Sequence, residues 1–315
     1  MGENFWPQMP VKPKEENLPI KEEGVLRKQE NMIALARRLE SVYAKRPDME
    51  DFEGAMSGTK FADEYSKDSI SRDLFYVDDT RDKIETVNSS RGQEALDHFE
   101  ENFAFAEAAQ AMIVDRLNNW LPDFKSVMTS DYDDLRVGID MVTKHKDGGY
   151  FGTAYDATVS SNPDKITDKL TKNWKFNVSK GALPVVKYFQ DPDTGDKGRI
   201  LVPKFVIGAS AVDVNDMAKA YLAGTENSLD SHPFRKLMLE QIEIQLNDAL
   251  YYFEDNQDDP RFNLARREYT RVKEMIKSAL QQLNDSKIID PLEYHEYSKN
   301  SLALNLIKEF SDKKE

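Results

Sequence analysis

Residues 136–160 constrain this chain more than any other stretch. RVGIDMVTK, the turn HKDGG and YFGTAYDATVS set two apolar runs on either side of a Gly-Gly pair. Runs of this kind read as neighbouring strands. Each carries a single acid in its apolar middle, Asp140 in GIDMV and Asp156 in AYDATVS. Burying an unpaired carboxylate costs roughly several kcal/mol, so such a charge is normally paired or ligates a metal. Side chains alternate along a strand, and adjacent strands bring two carboxylates to one edge. There they suit a shared hard cation, which polarises a phosphate and acidifies water.

Composition narrows the metal. The 315 residues contain no cysteine, which excludes disulfides, thiol catalysis, zinc ribbons and iron–sulfur clusters. The histidines, His98, His145, His232 and His295, are not spaced for zinc on one helix. A carboxylate site favours Mg²⁺, Mn²⁺ or Ca²⁺. No run approaches the ~20 apolar residues of a membrane span. The N-terminus MGENFWPQMPVKPKEE has no signal-peptide form. A cytoplasmic protein without membrane contact is expected. The net charge of −14 argues against non-specific nucleic-acid binding. Residues 160–210 nonetheless hold nine Lys/Arg against five Asp/Glu, a local surplus of +4. The 160–210 region is therefore the expected basic surface and the place for a nucleic-acid partner.

Periodicity divides the chain. Residues 1–25 are rich in Pro, Lys and Glu and read as a disordered tail. Residues 26–90 form a helical and loop extension, with a helix over 26–45 and only short helical turns after it. Residues 91–210 read as an α/β core. Its first helix starts at Ser90, with Gln93 three residues later in a capping box, and stops at Pro122. Strands follow at 124–130, 136–144 and 150–160, then a helix at 164–176. Strands at 183–190 and 199–210 complete it, the last demoted toward an edge or bulge by Pro203. Residues 211–315 are helical and pack on the core. Helices are expected at 212–223, 232–255, 261–284 and 291–311, and their apolar stripes offer a surface for a protein partner. The fold class is α/β, a mixed central sheet flanked by helices in the order α-β-β-β-α-β, with helical N- and C-terminal additions.

That order, with VGIDMV on one strand and TAYDATVS on the next, resembles the PD-(D/E)XK nuclease superfamily. The resemblance covers about residues 90–210. It implies a Mg²⁺- or Mn²⁺-dependent nuclease hydrolysing DNA phosphodiesters. Asp140 and Asp156 would bind the metal, and an acid of the first helix would join them, Glu107 first and Glu100 as the fallback. The family's lysine position is Thr158 here, which brings no positive charge. Lys187 is the leading replacement, with Lys165 and Lys169 behind it. The departure at Thr158 keeps a second implication open, a catalytically inactive nuclease-fold module for nucleic-acid or protein binding and assembly.

Other acids and aromatics read more plainly. Asp133 and Asp134 cap a turn or extend the metal shell, the turn being favoured. DPDTGD fails the EF-hand order and reads as a hairpin loop. Lys165, Lys169, Lys172 and Lys175 either line a phosphate flank or form a solvated helix face. Trp174, Tyr188 and Phe189 either stack on bases or belong to the core. Phosphate-loop, dinucleotide-turn and nucleophile-elbow motifs are missing.

Overall fold

The computed structural model describes residues 61–156 and 163–313, without the side chains of 93–105, 107, 154–156, 163 and 211. The expected helix over 26–45, and the tail before it, lie outside the described residues.

The central sheet is built from four short strands. They are β1 (Phe124–Met128), β2 (Met141–His145), β3 (Tyr150–Asp156) and β6 (Lys204–Gly208), in the order β1-β2-β3-β6. β2 runs antiparallel to both its neighbours, and β6 runs parallel to β3. A parallel step needs a crossover. Here the crossover holds the helix α4 (Pro163–Phe176) and a separate two-stranded sheet of β4 (Val185–Gln190) and β5 (Lys197–Leu201).

Alternation assigns the two faces. Met141, Phe151, Phe205 and Ile207 face the main core. There they meet α2 (Gln93–Trp120), α5 (Ala211–Ala223), α6 (Phe234–Asp255) and α7 (Asn263–Ser286). The opposite face is covered in two halves. Ile166 and Leu170 of α4 close over Val206 with Ala303 and Ile307 of α9 (Leu302–Asp312). Val186, Phe189 and Val202 of the second sheet close over Ile139 and Val142. Gly208 permits the approach of α9, because a Cβ there would sit 2.6 Å from that of Ala303. The mixed α/β class with a small flanked sheet is as expected; the bounds of its elements differ from the expected ones.

First, 199–210 is not one strand. Pro203 separates β5 from β6, and the two enter different sheets. Proline has no N–H for a ladder, so the chain turns there. The fourth strand of the central sheet is consequently β6, not 183–190. Second, 136–144 is not all strand. A seven-residue helix, α3 (Asp131–Val137), occupies 131–137, capped by Ser130 and ended by Gly138 at φ 66°. Third, the region after residue 60 holds α1 (Lys67–Ser89), a 23-residue helix capped by Ser66. Ser90 closes that helix, and Gly92 precedes α2. The expected C-terminal helix over 291–311 is two, α8 (Pro291–Lys299) and α9. No described helix is long and apolar enough to cross a membrane.

Candidate functional site

α3 fills the turn between β1 and β2, and it decides where the acids fall. The Ser130 hydroxyl accepts from the Asp133 N–H and donates to its carboxylate at 2.8 Å. After Gly138 the chain enters the sheet. The Asp140 N–H donates to Thr153 O at 3.0 Å, and its carbonyl accepts from Thr129 N at 3.1 Å. The Asp140 backbone is thus clamped between β1 and β3, just ahead of β2.

The Asp140 side chain is 6% exposed and shares a hydrogen bond with the Asp134 carboxylate. Burial holds the Asp134 carboxyl well above its usual range, and the Asp140 charge and that shared bond push it further up. Two carboxylates in contact cannot both stay ionised without a neutralising partner.

A cation of the chain itself stands beside them. Lys204 opens β6, opposite Gly152 of β3, and shares the α4 face with Val206. Its Nζ donates to Val137 O at 2.7 Å. Gly138 leaves room for it, since a Cβ there would lie 3.2 Å from that nitrogen. Burial lowers the Lys204 pKa to about 8; Asp140 and Asp134 pull it up, while Lys169 and Lys172 of α4 push it down. Lys169 also stabilises the Asp134 charge. Asp134, Asp140, Lys169 and Lys204 therefore form one electrostatic cluster at the α4 face of the sheet.

The residues expected from sequence are distributed as follows. Glu107 lies on α2, and Asp156 ends β3 in register with Gly208; both side chains lie outside the described residues. Thr158 lies outside them altogether. Among the described residues no three acids or histidines gather into a metal-binding group.

Lys187 stands elsewhere. It sits on β4 of the second sheet, where its ammonium pairs with Asp73 and donates to Ser69, both on α1. The rings of Tyr65, Tyr132 and Tyr188 surround it, with centroids 4.9, 5.5 and 5.2 Å away. Asp133 braces the same place, accepting from the Lys187 and Tyr188 N–H groups at 2.7 and 3.0 Å. The expectation that the fourth strand turns Lys187 toward Asp140 fails because that strand leaves the central sheet. Lys165 is exposed on α4. Tyr188 and Phe189 are core residues, and Trp174 is packed against the main core.

Sequence reasoning left Asp134 as a turn residue and did not consider Lys204. The available signal was Pro203. A proline in mid-run starts a new strand, and the residue after it stands at that strand's entrance. Comparison with family models, with curated proteins and with solved structures returned no match to this chain.

Proposed function

We propose that the chain is a metal-dependent hydrolase of nucleic-acid phosphodiester bonds, with DNA as the first substrate to test. The observation that carries this reading is the Asp134–Asp140 carboxylate pair, Asp140 buried and Asp134 half-buried, with the Lys204 amine acting on both. Its donors are hard oxygens, which fit Mg²⁺ or Mn²⁺. Asp140 would hold the ion, with Asp156 and Glu107 completing the set. When bound, the ion supplies Lewis-acid charge for a phosphoryl oxygen.

The chain's own groups have distinct parts. Asp134, whose carboxyl burial and Asp140 push up, stands next to Asp140 as the candidate proton carrier. Lys204 keeps positive charge against the developing phosphate charge, the part that Thr158 cannot play. Lys169 adds to that field. The succession of helix, three-stranded meander, helix and parallel strand supports the nuclease resemblance.

A second reading is a nuclease-like module that binds or assembles without turnover. Thr158 in the motif position and the −14 net charge favour it. One assay separates the two. Labelled single- and double-stranded DNA is incubated with Mg²⁺ or Mn²⁺ and the wild type, Asp140→Asn or Lys204→Met. Cutting by the wild type that falls at least about 100-fold in both variants is expected, the scale of removing one charge-stabilising group. Intact binding without cutting under any metal assigns the silent module.

A further inference from the structure

We infer that one row of side chains on α4 is a binding track for single-stranded nucleic acid, with Phe176 as its stacking platform. The inference rests on the phosphodiester reading for the class of ligand, but not on turnover. Lys165, Lys169, Lys172 and Phe176 recur at steps of four, three and four residues, which is one line along a helix. About a quarter turn round from this row, Ile166 and Leu170 are buried against Val206 and α9, so the row runs along the flank of the buried face. Lys165, Lys172 and Phe176 are exposed and Lys169 is half-buried, and at 1.5 Å per residue the row runs about 16 Å.

The row passes the acid pair. Lys169 acts on both Asp134 and Lys204, and Lys172 acts on Lys204. At its far end Phe176 is 53% exposed. The ammonium groups of Lys175 and Lys180 lie 5.6 and 5.2 Å from its ring centre. An exposed aromatic ring ringed by cations suits a base on the ring and phosphates on the amines. Phe75 makes the contrast. It is 71% exposed on α1, but Asp73, Asp78 and Asp79 surround it in sequence, a setting that repels phosphate. The row has counter-charges of its own: Asp168 pairs with Lys172 at 2.6 Å, and Asp164 stands at the start of the helix. Residues 163–181 still keep five lysines against those two acids, in a chain that is −14 overall.

The test is fluorescence anisotropy of a labelled oligothymidylate in EDTA, where no cutting intervenes, across a salt series. The full chain is compared with Phe176→Ala, Phe176→Trp and the double variant Lys165→Gln/Lys172→Gln. All the altered side chains are exposed, and thermal melts check that each variant folds as the wild type does. Phe176→Ala should bind about 5- to 100-fold more weakly, with Phe176→Trp retaining affinity. The double variant should reduce the slope of log K against log salt by about 1.4, at roughly 0.7 per phosphate contact on a single strand.

Wild-type affinity in Phe176→Ala overturns the platform, and an unchanged salt slope in the double variant overturns the row. Absence of wild-type binding at low salt overturns both. Wild-type binding to phosphatidylserine vesicles, lost in the same variants while the oligonucleotide is ignored, assigns the row to a membrane surface instead. Failure of the hydrolase reading looks different: the oligonucleotide binds through the row, yet Mg²⁺ and Mn²⁺ yield no cleavage.

Discussion

Two lysines show how surroundings decide the use of the same side chain. Lys187 is held by Asp73 and three tyrosine rings, so its charge is neutralised within the fold. Lys204 is drawn into the protein near two acids that share a hydrogen bond, and burial keeps its pKa down at about 8. Such a depressed amine is a cost to the folded state at neutral pH. The unfolded chain binds the Lys204 proton up to about pH 10.5, whereas the folded chain releases it near pH 8. Between those values the unfolded state carries more protons, so wild-type stability rises with pH. Lys204→Met removes this cost. The depression corresponds to about 3 kcal/mol as an upper figure. Loss of the bond to Val137 returns about 1 kcal/mol, and because Lys204 as a residue is only partly buried, water screens some more. The variant should therefore unfold at higher denaturant than wild type at pH 7, by roughly 1–2 kcal/mol. The advantage should close between pH 8 and 10.5. A difference flat across that range would show that the Lys204 amine is not strained by burial. A variant gaining stability while losing cleavage is the pattern of a group retained for function.

Elements contribute through their edges as much as through their faces. β6 is an edge strand, and an unpaired edge exposes a row of N–H and C=O groups. Two glutamines one turn apart on α6 take the place of a further strand. Gln245 accepts from Val206 N at 2.9 Å and donates to Val206 O at 2.8 Å. Gln241 does the same for Gly208, at 2.8 and 3.0 Å. Gln241 is fully buried, so no water replaces it. Gln241→Leu leaves both Gly208 groups unsatisfied, at about 1–3 kcal/mol each. Chemical denaturation should show a loss of about 3 kcal/mol, and Gln241→Glu should also lose stability at neutral pH, because its ionised form keeps the acceptor for Gly208 N–H but cannot donate to Gly208 O. A loss under 1 kcal/mol would mean that the edge finds other partners.

The same scale explains what the sequence made legible. α4 and the long helices α6 and α7 carried clear apolar periods, and they appear close to where expected. α1 did not, because it buries only Ile70 and Val77 over 23 residues. α3 is two turns long, too short to show a period. Asp140 was found because an acid within an apolar run stands out. Lys204 was hidden because its neighbourhood depends on β6 pairing with β3 across a crossover, and no local pattern reports that. Asp134 looked like its neighbour Asp133, a capping acid, until the fold placed it against Asp140.

At the scale of the whole molecule, the boundary near residue 210 that composition suggests does not divide the hydrophobic core. One cluster joins Met112 and Leu117 of α2, Phe151 and Phe205 of the sheet, and Leu246, Phe253, Tyr269 and Ile276 of α6 and α7. The second face depends on α9 in the same way, since Ala303 and Ile307 close over Val206. A fragment ending at residue 210 would lose the glutamine cap of β6, the cover of Phe205 and half the cover of α4. It would also expose an apolar sheet face that α2 alone would be left to cover. Each fully exposed Phe or Leu forfeits about 1.5–3 kcal/mol, and a domain's net stability is only about 5–15 kcal/mol. Residues 61–210 alone should therefore bind a hydrophobic dye and lack a cooperative thermal transition. Residues 61–313 should melt as one unit by calorimetry. A cooperative melt of the shorter fragment would make the C-terminal helices a separable docking module. Its absence makes them part of what holds Asp140 and Lys204 together, because β6 is fixed on one side by β3 and on the other by α6.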